Sequence, residues 1–211
     1  MIQFSSGLLD TFSHNLSSLT ECNFIDMSSY DSQSGHWIQN YLLNSVFRGR
    51  YPDRYHQIVM ALIRRAEAAF QEYELARTAL EAYVNGPREA ISKYFSSLYH
   101  FEQFIAHAYQ AYMLSKPLLA NPRTFQNGDN SVLERLNKIY NHIKHCDSKL
   151  LAGNFPENAT VSIWLSSQEI HCLDANLTSD EIVEALKEIA DYANSFSDPA
   201  TVLKEILAEN A

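Results

Sequence analysis

From Asp53 onward, apolar residues recur at spacings of three and four: Ile58, Leu62, Ala66, Ala69, Tyr73, Ala76, Leu80 and Val84. Such spacings fall on one face of a helix, so the segment reads as a long amphipathic helix. Asn85 and Gly86 end it, and Pro87 suits the first turn of a second helix, where its missing N–H would be unpaired anyway. The second stripe runs through Ile91, Tyr94, Phe95, Leu98, Phe101, Ile105, Ala108, Tyr109 and Tyr112, and Pro117 stops it. Two long helices joined by a tight turn must pack as an antiparallel hairpin, burying stripe against stripe.

After a loop containing Pro122 and Gly128, Ser131-Val132-Leu133-Glu134 reads as a capping box opening a third helix that reaches about Leu150. Thr160 to Leu165 then alternates as a strand would, and Glu169 to Leu173 can return beside it across Ser166-Ser167-Gln168, predicting a two-stranded flap. Thr178 and Glu181 form a second capping box, with Leu177 and Ile182 placed as a hydrophobic staple. The acidic helix they open runs to about Phe196, and a short helix over 199 to 209 closes the chain. Residues 1 to 36 are rich in Ser, Asn and Thr and read as an arm or short docked helices.

The expected architecture is therefore all-α: a helical bundle built on a long antiparallel helix hairpin, with a small β-hairpin inserted before the C-terminal helices. It divides into an N-terminal arm (1–47), a helical core (48–152) and the β-hairpin with acidic helices (153–211). Composition agrees, since 46% hydrophobic residues support a globular core and only six glycines and six prolines are too few for a turn-rich β fold.

The net charge of −9 is unevenly spread: residues 1–47 carry −4, residues 48–152 carry +4, and residues 153–211 carry −9. An acidic whole attracts polyanions poorly at long range, but a locally basic middle can hold a few phosphates. Cys22, Cys146 and Cys172 are far apart and form no C-x-x-C pair, which points to reduced thiols. The first basic residue is Arg48, so a charged secretory n-region is missing, and no apolar run has the length of a membrane span. The expectation is a cytoplasmic protein with no membrane partner.

Within the third helix, Leu136-Asn137-Lys138-Ile139-Tyr140-Asn141-His142-Ile143-Lys144-His145 resembles the signature helix of the HEPN family, often written Leu-Asn-x-Ile-Arg-Asn-x-x-x-His. The order of elements is also similar, because HEPN domains place a long helical hairpin before the motif helix. The resemblance covers residues 54 to 150, about half the chain. It implies a homodimer, RNA as substrate or ligand, and a setting in prokaryotic defence or a toxin–antitoxin pair, with an antitoxin or other protein as partner. In active members an arginine and a histidine from two subunits cleave RNA without a metal, so no cofactor is implied.

Asn141 and His145 occupy the asparagine and histidine positions, but Tyr140 stands where the arginine belongs. Phosphate charge developing in cleavage then lacks its fixed cation, and losing one preorganised donor costs about 10²- to 10³-fold. Ribonuclease activity is expected to be lost or weakened. Arg135 and His142 also fit a looser Arg-to-His spacing, yet at about 100° per residue they share one flank of the Val132, Leu136, Ile139, Ile143 stripe. Asn137, Asn141 and His145 lie on the other flank, so only a dimer could bring the two together.

Other candidates are weaker. Arg48, Arg50, Arg54, Arg64 and Arg65, interleaved with Tyr51, Tyr55 and His56, could form a phosphate-binding surface with stacking partners, although Glu67 stands where it could pair with Arg64. His100 and His107 share a helical face, but no Glu-x-x-His or H-E-x-x-H occurs, and no metal site is expected. P-loop, G-x-G-x-x-G and G-x-S-x-G motifs are absent. Two alternatives stay open: a non-catalytic helical protein-interaction module, and an active metal-independent endoribonuclease in which Arg135 or a residue outside the motif supplies the missing cation.

Overall fold

A computed structural model describes residues 6–14, 16–30, 35–86, 91–119, 121–155 and 160–200. Its helices are α1 (Ser6–Asp10), α2 (Trp37–Phe47), α3 (Asp53–Val84), α4 (Ile91–Ser115), α5 (Val132–Leu151) and α6 (Ser179–Phe196), with 3₁₀ turns at Leu16–Ser18 and Lys116–Leu118. Pro87 of the expected interhelical turn, and all but the first two residues of the expected helix over 199 to 209, lie outside the described residues.

The hairpin of α3 and α4 is the scaffold. Leu62, Ala66, Ala69, Tyr73, Ala76 and Leu80 of α3 are buried against Tyr94, Leu98, Phe101, Ile105, Ala108 and Tyr112 of α4. Alanines opposite rings let the two helices approach closely, and the Ser97 hydroxyl donates to the Ala76 carbonyl at 2.8 Å across the seam. Each large side chain buried here contributes about 1.5–3 kcal/mol. Phe95, placed on the stripe by spacing, is instead exposed, with Tyr94 taking the core position beside it.

The amphipathic α6 lays Ile182, Leu186, Ile189, Ala193 and Phe196 into the core. Its N-terminus carries the complete capping box: Thr178 accepts from the Glu181 N–H at 3.3 Å and Glu181 accepts from the Thr178 N–H at 3.0 Å. Leu177 and Ile182 are both buried, as a staple requires. At the far end of α6, the Trp37 indole donates to Asn194 at 2.7 Å and Asn44 donates to the Ser197 carbonyl at 2.9 Å, which ties on α2.

The β structure differs from the expected two-stranded flap. Three short antiparallel strands, β1 (Trp164–Leu165), β2 (Glu169–His171) and β3 (Asn176–Thr178), form a sheet in the order β1-β2-β3. β1 is shorter than the alternating run because Ser162 turns aside to bond Glu102 of α4. β3 runs directly into the N-cap of α6, and Ile170 pairs with Leu177 so that both side chains join the core. The arm crosses this region: Asn23 N–H donates to the Ser167 carbonyl at 2.6 Å, Ile25 N–H to the Ser179 hydroxyl at 2.9 Å, and Met27 N–H to Glu74 at 2.6 Å.

Candidate functional site

The motif helix α5 begins at Ser131, whose hydroxyl accepts from the Glu134 N–H at 3.2 Å. The second half of the expected capping box is not made. Glu134 reaches back into the preceding loop, accepting from Gly128 N–H at 2.5 Å and Asn130 N–H at 2.6 Å while Lys138 approaches at 3.1 Å. The Gly128 amide is the largest influence holding this carboxyl below its ordinary range. The loop can offer both amides because Gly128 and Asn130 adopt positive φ.

Tyr140 does not stand free at the arginine position. Its ring stacks on Tyr109 of α4, with centroids 4.7 Å apart and planes 27° apart. Both rings are half-buried, so the pair packs across the α4–α5 seam. Beside it, Asn141 is exposed and donates to Asn137 at 3.0 Å, and His145 is exposed one turn further on. The expected polar flank thus exists and faces solvent.

Arg135 is committed elsewhere. Its guanidinium binds both carboxylate oxygens of Glu181, one of them at 3.0 Å, and donates to the Asn176 carbonyl at 2.8 Å. It therefore clamps α5 to β3 and to the capping box of α6, and its Nε is buried without a partner. His142, on the same flank, is buried rather than at the surface, packed near Phe155 with its Nε2 unpartnered. Burial, reinforced by Lys149 and opposed by Asp174, lowers its pKa and favours the neutral ring. Within one chain, Arg135 and His142 do not share a cleft with His145.

The basic group separates into paired and unpaired members. Arg48 meets Asp198 at 2.6 Å and Arg50 lies 3.8 Å from Asp53, each arginine 60% exposed. Arg54 and Arg64 are exposed, and Arg65 lies 2.9 Å from His107 Nδ1. The expected stacking partners are largely spent in the core: Tyr51 is buried, and His56 Nδ1 lies 2.5 Å from the Tyr41 hydroxyl. Glu67 does not pair with Arg64; it accepts from the Ile38 N–H at 3.1 Å, and burial raises its pKa.

Two constellations had no sequence signal. Ser166, Glu169 and His171 meet on the sheet, Ser166 Oγ at 3.2 Å and Glu169 Oε2 at 3.4 Å, both from His171 Nε2. Because both face one ring nitrogen, the carboxylate competes with the serine instead of orienting the ring through Nδ1, and no triad results. On α4, Glu102 is held by Ser162. Burial, opposed by the Ser162 bond and reinforced by Asp147, raises its pKa.

His100 pairs with Glu72 at 2.7 Å. Among the described residues no three His, Cys, Asp or Glu side chains stand together where a metal ion could bind, and no helix is long and apolar enough to cross a membrane. No family model, no curated protein and no solved structure matches this chain.

Proposed function

We propose that this protein is a HEPN-like RNA-associated or regulatory component of a prokaryotic defence or toxin–antitoxin system, acting as a homodimer, with metal-free cleavage lost or weakened. The observation that carries the reading is the engagement of Arg135 by Glu181 and the Asn176 carbonyl while Asn141 and His145 stay exposed on the opposite flank. A cation locked into a structural clamp cannot move to a phosphate, and the Tyr140 phenol supplies no charge. What remains accessible is a polar strip on the motif helix and the exposed Arg54 and Arg64 on the neighbouring hairpin, a set able to bind RNA but lacking the electrostatic half of the catalytic pair.

The test is incubation of the full chain with a mixed RNA pool in EDTA across a salt series, beside His145→Ala. The expected result is salt-sensitive binding without appreciable cleavage. Cleavage that vanishes in His145→Ala would overturn the loss of activity, and absence of both binding and cleavage would overturn the RNA reading.

A second reading, a protein-interaction module with an antitoxin or other protein as partner, is favoured by an apolar ridge at the end of α2. There Leu42 and Leu43 are half exposed, and Val46 and Phe47 are 76% and 81% exposed. Apolar side chains clustered at such exposure mark contact surfaces. Phe47→Ser would abolish partner binding under this reading and leave RNA binding untouched under the first.

A further inference from the structure

We infer that the α3–α4 seam carries a phosphate-binding pocket formed by Arg64, Arg65 and His107, an inference that rests on the RNA-associated reading for its natural ligand. Arg65 faces His107, and one heptad along each helix Glu72 faces His100, so the antiparallel hairpin repeats a rung. The two rungs differ in charge. At the second, a histidine meets a carboxylate; at the first, a histidine meets a guanidinium, and Arg64 adds a second cation beside it. The nearby acids are engaged elsewhere, Glu67 with the Ile38 N–H and Glu72 with His100. Among the described residues, no carboxylate pairs with Arg64 or Arg65 at the first rung, and Glu72 acts on His107 only at longer range.

Its geometry suits an oxyanion. A pocket of about 210 Å³ is lined by Ala61, Arg64, Arg65, Ala68 and His107. Arg65 Nη1 at 2.9 Å from His107 Nδ1 must donate to it, which fixes the imidazole as the neutral Nε2–H form. Burial, with Arg65 next and Glu72 opposing, lowers the His107 pKa, which favours the neutral ring. The neutral ring then carries its proton on Nε2 and lines the pocket together with two guanidinium groups, whose paired N–H groups match two oxygens of one phosphate. Ala61 and Ala68 lie one turn to either side of the arginines, and their lack of long side chains leaves the pocket open. Arg54, exposed on the same face three turns away at about 16 Å, extends the positive track along α3.

The phosphate group can come from an RNA backbone or from a free phosphate, and two probes separate these sources. The first is a fluorescein-labelled 12-mer oligouridylate, titrated by anisotropy against full-length wild type, Arg65→Gln, Ala68→Glu and Lys93→Gln. The second is inorganic phosphate, followed by the His107 imidazole resonances in NMR. Ala68→Glu keeps both arginines and a good helix former while placing a carboxylate in the pocket, one turn from Arg64.

Wild type is expected to bind the oligomer, Arg65→Gln and Ala68→Glu to lose about tenfold or more, and Lys93→Gln to change less than about twofold. Oligomer binding that neither pocket variant weakens overturns the pocket and leaves the RNA reading standing. A His107 response to phosphate that Ala68→Glu abolishes, without oligomer binding, supports the pocket and removes the RNA reading. No His107 response together with no loss in either variant overturns the pocket; thermal melts showing all variants folded exclude a trivial loss.

Discussion

Replacing Arg135 with methionine removes the cation that clamps α5 to α6 while keeping a long unbranched stem. The lost contacts are two bonds to Glu181 and one to the Asn176 carbonyl, between side chains 13% and 26% exposed. Breaking a fully buried pair costs about 3–5 kcal/mol, whereas exposed pairs contribute about 0–1 kcal/mol. Glu181 falls between, because it keeps the Thr178 N–H and the positive end of α6 and can rehydrate on its open side.

The expected loss is about 2–3 kcal/mol, which lowers Tm by about 4–12 °C in a chain of this size. Urea unfolding of wild type, Arg135→Met, Glu181→Gln and the double variant closes a cycle whose coupling is expected above about 1 kcal/mol. The pH dependence follows from Glu181. Burial opposes its charge, but Arg135 and Thr178 outweigh that and hold its carboxyl below the ordinary range. A depressed folded pKa stabilises above the ordinary carboxylate value and is lost as pH falls through the folded one, so the gap between wild type and Arg135→Met should narrow in acid toward what the Asn176 bond contributes. Coupling below about 0.5 kcal/mol, or a gap that does not narrow in acid, would refute the clamp and reopen Arg135 as a free cation.

Glu102→Gln keeps an acceptor for the Ser162 hydroxyl and removes a charge that burial disfavours. The raised folded pKa means the native state holds the proton over a range where the unfolded state has released it, so this group's contribution falls as pH rises. The variant should be at least as stable as wild type in urea melts at pH 8 and lack that slope; a loss above about 1 kcal/mol at pH 8 would contradict it. Tyr140→Arg puts a guanidinium over the Tyr109 ring and beside exposed Asn141. Metal-free RNA cleavage should rise about 10²- to 10³-fold and vanish again when His145→Ala is added. A rate that stays at background would remove Tyr140 from the proposed account of weakened cleavage.

Local chemistry carried most of the fold in the sequence. The hairpin was legible because its core is written at the helical period, and the Thr178 box because every partner lies within four residues. The third strand was not, since Asn176, Leu177 and Thr178 are only three residues long and already served as a helix start, and they pair only because β2 is beside them. The same division runs through the candidate site. The polar flank of Asn137, Asn141 and His145 followed from 100° per residue; Asn141 and His145 are exposed and Asn137 is half-buried. Arg135 looked as available as His145 in the sequence, because its partner Glu181 is 46 positions away. Ser131 and Glu134 matched the capping pattern, but the positive-φ loop before them offered two amides that Glu134 reaches instead.

These outcomes share one cause. A charged side chain bonds to whichever partner the tertiary fold brings closest, so a motif's spacing specifies which residues share a helix face and leaves open which of them are free to act. In this chain Arg135 is held by Glu181 and Tyr140 stacks on Tyr109, whereas the Arg65–His107 rung, which no motif spacing marks, has no carboxylate partner for its arginine among the described residues.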